Sequence, residues 1–154
     1  MIRIIPATQP SEVAQVKALV LEYVEGLGLD LSFQDIEAEL HEFPGEYAPP
    51  EGRLLLAMSG EEAAGCVGLR PLEPDVCEMK RLYVQPRYRG HGLGAQLARA
   101  VITEARAMGY AAMRLDTLPS MTSAIGMYRE LGFQLIVPYY RNPIEGALFF
   151  ELKL

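Results

Sequence analysis

The segment Arg89-Gly90-His91-Gly92-Leu93-Gly94 constrains this chain more than any other. It lies between a strand pattern that ends at Val84 and a helical run that opens at Leu93. Glycines leave the backbone bare, so a ligand can touch it. A helix start offers unpaired N–H groups and a partial positive charge. A diphosphate is the natural guest of such a turn. Three phosphate loops compete for the assignment. A P-loop requires Gly-Lys-Ser or Gly-Lys-Thr, whereas Ala95-Gln96 follows Gly94. The dinucleotide fingerprint is matched formally by Gly90, Gly92 and Ala95, with Asp116 standing about 20 positions on, where a ribose-binding acid belongs. Against it, Gln85 to Arg89 separate the strand from the first glycine, and hairpins rather than parallel strand–helix units come before. The third option is R-x-x-G-x-G, read as Arg89, Gly92 and Gly94.

The rest of the chain sets the frame. Its 154 residues fit one domain, 1–154, with no visible repeat or linker. Half are hydrophobic, enough for a real core. Fourteen basic against 20 acidic residues leave a net charge of −6, which argues against a nucleic-acid partner. The longest uncharged run, Thr117 to Tyr128, is far short of the ~20 apolar residues of a membrane span. Residues Met1 to Pro10 lack a signal-peptide core. Cys66 and Cys77 form no C-x-x-C pair, and His41 and His91 are the only histidines, so no metal is expected. Two reduced thiols suit a cytoplasmic protein.

Periodicity gives the element order. Ile2 to Ile5 reads as a strand. Ser11 is placed to cap a helix carrying Val13, Val16, Val20, Tyr23 and Leu27 on one face, closed by Gly26 and Gly28. Ser32 opens a shorter helix with Phe33, Ile36 and Leu40, and His41 falls near its end. Pro44 to Gly52 is a stiff loop. Strands follow over Arg53–Ser59, Ala63–Arg70 and Val76–Val84. In the last of these the apolar phase slips, since Cys77 and Met79 are odd-numbered while Leu82 and Val84 are even. A strand has a period of two, so the slip predicts a bulge near Lys80-Arg81. After the glycine loop, Leu93, Leu97, Val101 and Met108 share a helix face, ended by Gly109. Ala111–Thr117 is a strand. Ser120 is placed to cap a helix with Met121, Ala124, Ile125, Tyr128 and Leu131 together, ended by Gly132. Phe133–Tyr140 and Ala147–Leu154 close the chain.

At this point a family resemblance is plain. Glu78 to Gly94, with its R-x-x-G-x-G loop, resembles the acetyl-CoA-binding strand, loop and helix of the GNAT superfamily of N-acetyltransferases. Ala124-Ile125-Gly126-Met127-Tyr128-Arg129-Glu130-Leu131-Gly132-Phe133 is similar to the family's later A-I-x-x-Y-x-x-x-G-F motif. The element order agrees across essentially the whole chain. The resemblance implies an α/β (α+β) GNAT fold: a mixed, mostly antiparallel central sheet flanked by helices, in the order β-α-α-β-β-β-α-β-α-β-β. It implies an acetyltransferase that moves an acetyl group from acetyl-CoA to an amine in a ternary complex, without an acyl-enzyme. It implies that the backbone of Arg89, Gly90, His91, Gly92, Leu93 and Gly94 grips the CoA diphosphate. Leu82, Tyr83 and Val84 would pair with the pantetheine arm, with one N–H facing the thioester oxygen. Tyr128 would be the general acid at the sulfur, and Glu78 the base candidate, directly or through water. Where family members often carry an asparagine, this chain has Met121, which cannot make the same hydrogen bond.

Two rival readings remain at this stage: an acyl-CoA-binding module without catalysis on the same fold, and a nicotinamide-dependent reductase. The acceptor is not legible, although the acidic balance leans toward a cationic amine. Its walls are expected from Pro44 to Gly52, from the early helices and from Tyr139-Tyr140-Arg141-Asn142-Pro143. A homodimer is open to such a chain.

Overall fold

The computed structural model describes residues 1–28 and 35–154. Its elements are β1 Ile2–Pro6, α1 Pro10–Leu27, α2 Ile36–Glu42, β2 Arg53–Ser59, β3 Glu62–Glu73, β4 Val76–Val84, α3 Leu93–Ala107, β5 Ala112–Thr117, α4 Thr122–Glu130, β6 Gln134–Ile136 and β7 Leu148–Lys153. This is the order the sequence predicts. The proposed Ser32 cap and Phe33 lie outside the described residues.

One seven-stranded sheet runs β1-β2-β3-β4-β5-β7-β6. Every neighbouring pair is antiparallel except β4 and β5. A lone parallel pair does not provide the repeated strand–helix units of a dinucleotide fold, and the reductase reading falls with it.

Two cores sit on opposite faces of the sheet. One packs α3 and α4 through Leu93, Leu97, Val101, Ile102 and Tyr128 onto Val67, Met79, Leu115 and Phe150. The other packs α1 through Val16, Leu19 and Val20 onto Leu54, Leu56 and Cys66. The helical spacing of apolar residues in α1 and α3 produces these faces directly.

Three local expectations need correction. Helix α1 begins one residue before Ser11, and it is the Glu12 carboxylate that reaches back to the N–H groups of Thr8 (3.2 Å) and Gln9 (2.9 Å). Helix α4 takes Met121 rather than Ser120 as its N-terminal flanking residue. Strand β6 ends at Ile136 instead of Tyr140. Pro138 has no N–H for a ladder, and the two tyrosines after it turn their hydroxyls to carboxylates on other strands.

Candidate active site

The bulge in β4 is real and shapes everything around it. Cys66 of β3 faces Tyr83, but Gly68 faces Lys80, so β4 carries an extra residue in this stretch. Arg81 absorbs it with φ of +61°, a left-handed backbone that non-glycine residues seldom take. The bulge rotates the alternation. Met79 and Leu82 join the α3–α4 core, while Tyr83 joins the α1 core. Lys80 and Arg81, though adjacent, both extend into ionic contacts with Asp116 and Glu39.

The parallel ladder between β4 and β5 covers only Val76, Cys77 and Glu78. On its other edge β4 stays paired with β3 as far as Val84. The sheet therefore opens between β4 and β5, and a cleft of about 1140 Å³ fills the gap. Leu82, Tyr83 and Val84 line one wall, and Asp116 and Thr117 the other. Arg89, Gly92, Gly94 and Tyr128 also line it. An extended ligand entering there can meet β4 as an added strand would.

The glycine loop stands at the end of this cleft. Gly90 and Gly92 have φ of +84° and +77°. Gly92 immediately precedes the first turn of α3, and a Cβ built on it would meet nothing within 4 Å. The bare backbone thus faces open space in the cleft. Arg89 donates from Nε to the Val84 carbonyl at 2.9 Å and lies over the Tyr83 ring at 5.5 Å. These contacts tie the loop to the end of β4. Of the other loop residues expected to take part, Gly90 and His91 are exposed and do not line the cleft, while Leu93 is buried in the α3 core. A role for these three would run through their backbone.

Tyr128 packs edge-on to Phe133 at 5.7 Å and against Phe150 at 6.4 Å. The core and site roles of its ring coexist, because the ring is held by phenylalanines while the residue lines the cleft. Burial, with Tyr23 and Asp116 nearby, pushes its phenol above the ordinary value. The hydroxyl therefore keeps its proton through the neutral range and remains a donor.

Glu78 is 2% exposed and does not line the cleft. Its carboxylate accepts from Arg70 Nε at 3.0 Å and from the Tyr139 hydroxyl at 2.6 Å. Burial and this carboxylate drive the Tyr139 phenol far up. Behind Glu78 runs a chain of ion pairs. Arg70 also meets Glu39 at 3.5 Å, and Glu39 takes two hydrogen bonds from Arg81 at 2.8 and 2.9 Å.

Sequence reasoning expected Asn142 in a wall of the site but missed the Lys80–Asp116 pair. Lys80 and Asp116 line the cleft 3.5 Å apart, and Asn142 reaches in from the β6–β7 connection. Asp116 Oδ2 accepts from Asn142 Nδ2 at 3.1 Å and from the Tyr140 hydroxyl. A signal was present in the alternation of β4 and β5, which puts Glu78 and Lys80 in one phase and Arg114 and Asp116 in another. Nothing in the sequence says that the two strands are neighbours. Of the expected acceptor walls, the turn at Tyr139 to Pro143 contributes Asn142, and α1 contributes Tyr23, Gly26 and Leu27. The loop Pro44 to Gly52 does not reach the cleft. Its Tyr47 is buried in the α1 core, with the ring pressed on Gly68.

A glycine-lined helix start thus stands beside a sheet that parts at one strand pair. The profile of the acetyltransferase (GNAT) family matches residues 18–133, and the chain belongs to that family. An uncharacterized N-acetyltransferase of Schizosaccharomyces pombe is 40% identical over 147 residues, covering 94% of this chain and 90% of that one. A GNAT acetyltransferase structure from Staphylococcus aureus superposes with a TM-score of 0.81 at 21% identity, covering 99% of both chains. One from Elizabethkingia anophelis, solved with acetyl-CoA bound, gives 0.67 at 24% identity over 99% of this chain and 98% of that one. The protein is an acetyltransferase. Among the described residues no helix is long and apolar enough to cross a membrane, and no cluster of metal-ligating side chains occurs.

Proposed function

We propose that this acetyltransferase takes its acetyl group from acetyl-CoA and passes it directly to an amine held in the same cleft. The carrying observation is that the β4–β5 ladder ends at Glu78 and that the cleft opened beyond it is lined also by the glycine turn at the start of α3. The diphosphate sits on the backbone of Arg89 to Gly94. The pantetheine arm lies along Leu82, Tyr83 and Val84, and a β4 N–H polarises the thioester carbonyl. The amine nitrogen attacks that carbonyl carbon, the new C–N bond forms, and the C–S bond breaks with its electron pair leaving on sulfur. Tyr128 donates a hydrogen bond to the departing thiolate. The proton lost by the amine leaves on water, because Glu78 is set back from the cleft with its oxygens accepting from Arg70 and Tyr139. Cys66 and Cys77 take no part: each thiol is pushed up to about 12, chiefly by burial, and donates to a backbone carbonyl. Such thiols fit a reduced, cytoplasmic setting. The test is acetyl-CoA-dependent release of free CoA thiol across a panel of amines, with the acetylated amine identified by mass. Release with transfer supports the reading. Acetyl-CoA binding with no transfer to any amine would favour a binding module instead.

A further inference from the structure

Residues of both cores line the cleft between β4 and β5, and each face of the sheet supplies one phenol. Tyr128 stands with the α3–α4 core and Tyr23 with the α1 core. The Tyr23 ring leans on Tyr83, with centroids 5.5 Å apart. Among the described residues its hydroxyl makes no hydrogen bond. Burial raises this phenol above its ordinary value, Arg81 opposes the rise, and Asp116 and Cys66 add to it, so the hydroxyl keeps its proton in the neutral range. Tyr23, Gly26 and Leu27 follow helical spacing in the last turns of α1, and all three line the cleft. A Cβ built on Gly26 would meet nothing within 4 Å among the described residues, so the wall beside Tyr23 has room.

A donor arm paired along β4 as an added strand lies in the plane of the sheet, and its carbonyls lie in that plane too. The thioester then turns one face toward α3 and α4 and the other toward α1. A nucleophile attacks a carbonyl carbon from one face of its plane. Tyr128 comes from the α4 side, which leaves the α1 side to the acceptor, where Tyr23 offers an oxygen and Gly26 leaves space. A phenol both donates and accepts hydrogen bonds. We propose that Tyr23 is a further catalytic residue: its oxygen accepts a hydrogen bond from an N–H of the attacking amine and aims the nitrogen lone pair at the thioester carbon. This inference rests on the transferase reading above. Tyr23 stays a neutral phenol throughout, and the proton of the amine still leaves on water.

The experiment is Tyr23→Phe against the wild type, by CoA release with the fastest amine from a panel of amino acids, aliphatic and aromatic amines and short peptides. The variant keeps the ring on Tyr83 and removes a hydroxyl that no described residue bonds, so its melting temperature should equal that of the wild type. Losing one neutral hydrogen bond should lower kcat/KM for the amine by roughly 3- to 10-fold. KM for acetyl-CoA should stay unchanged, since the contact is made to the acceptor alone. Equal kcat/KM for the amine in the two proteins would overturn the inference. So would a matching rise in KM for acetyl-CoA, which would put the hydroxyl on the donor arm. A lowered melting temperature would make the hydroxyl a structural group and overturn it as well. A wild type that transfers to no amine would defeat the transferase reading and this inference together, whereas an active wild type matched by Tyr23→Phe would defeat this inference alone.

Discussion

Lys80 and Asp116 face each other across the opening of the sheet at 3.5 Å, one on β4 and one on β5. They are 36 positions apart in the chain and stand beyond the last paired residues of the two strands. The ladder stops where this pair begins. An ion pair replaces backbone hydrogen bonds there, which holds the two strands near each other while leaving space between their backbones. Burial favours the neutral form of Lys80 and lowers its ammonium below the ordinary lysine value, while Asp116 works against that shift. Removing the carboxylate with Asp116→Asn should lower it further. The expected result is a loss of acceptor affinity with acetyl-CoA affinity retained, read from the two KM values separately.

Acetyl-CoA should stabilise the fold by mass action. At 100 times its dissociation constant a ligand adds about 2.7 kcal/mol. For a chain of this size that corresponds to a rise in melting temperature of roughly 5–10 °C. Differential scanning fluorimetry at millimolar acetyl-CoA measures it, and an unchanged melting curve would remove the cofactor assignment.

Gly92→Val should abolish acetyl-CoA binding and leave the protein folded. The φ of +77° disfavours any side chain, and a branched one would project into the open space of the cleft. The strain costs about 1–3 kcal/mol of stability. Unaltered affinity in the folded variant would make the loop a structural turn only.

Tyr128→Phe should cut turnover about 10²–10⁴-fold. The ring keeps its contacts with Phe133 and Phe150, so the melting temperature should barely move. Acetyl-CoA affinity should be nearly intact. Normal turnover in a stable variant would end the general-acid role and leave the cofactor site standing.

The pair of Glu39 and Arg81 predicts an acid-sensitive fold. Burial alone would raise the Glu39 carboxyl, but the Arg81 guanidinium, helped by Arg70 and Lys80, holds it below its ordinary value. A carboxyl lowered in the folded state contributes stability that is present above its unfolded value and lost as pH falls through the folded one. Part of the stability should therefore disappear as pH drops from about 5 toward 3. Glu39→Ala takes away the carboxylate that accepts two hydrogen bonds from the buried Arg81 guanidinium, and about 3 kcal/mol should be lost at neutral pH. Denaturant melts of both proteins between pH 3 and pH 7 test this. An identical acid limb in Glu39→Ala would show that other carboxylates carry it.

The sequence by itself determined the elements and the glycine turn that lines the cleft. Those features are local: a 3.6-residue apolar period, alternation in strands, glycines where φ turns positive, and a phase slip that marks the bulge at Arg81. Each is set by neighbours a few residues away, so each is written in consecutive letters. Tertiary structure alone decided the polar wall of the cleft. Glu78 reads from sequence as a base candidate on a strand, and becomes a buried partner of Arg70 and Tyr139 only because β3 and the β6–β7 connection close on it. Lys80 and Asp116 become one feature only because β4 and β5 lie side by side and then part. Tyr47 leaves the site because Gly68 gives its ring a place in the core. Charges and hydrogen bonds act through space at a few ångströms, and no pattern along the chain records which distant side chains will share that space.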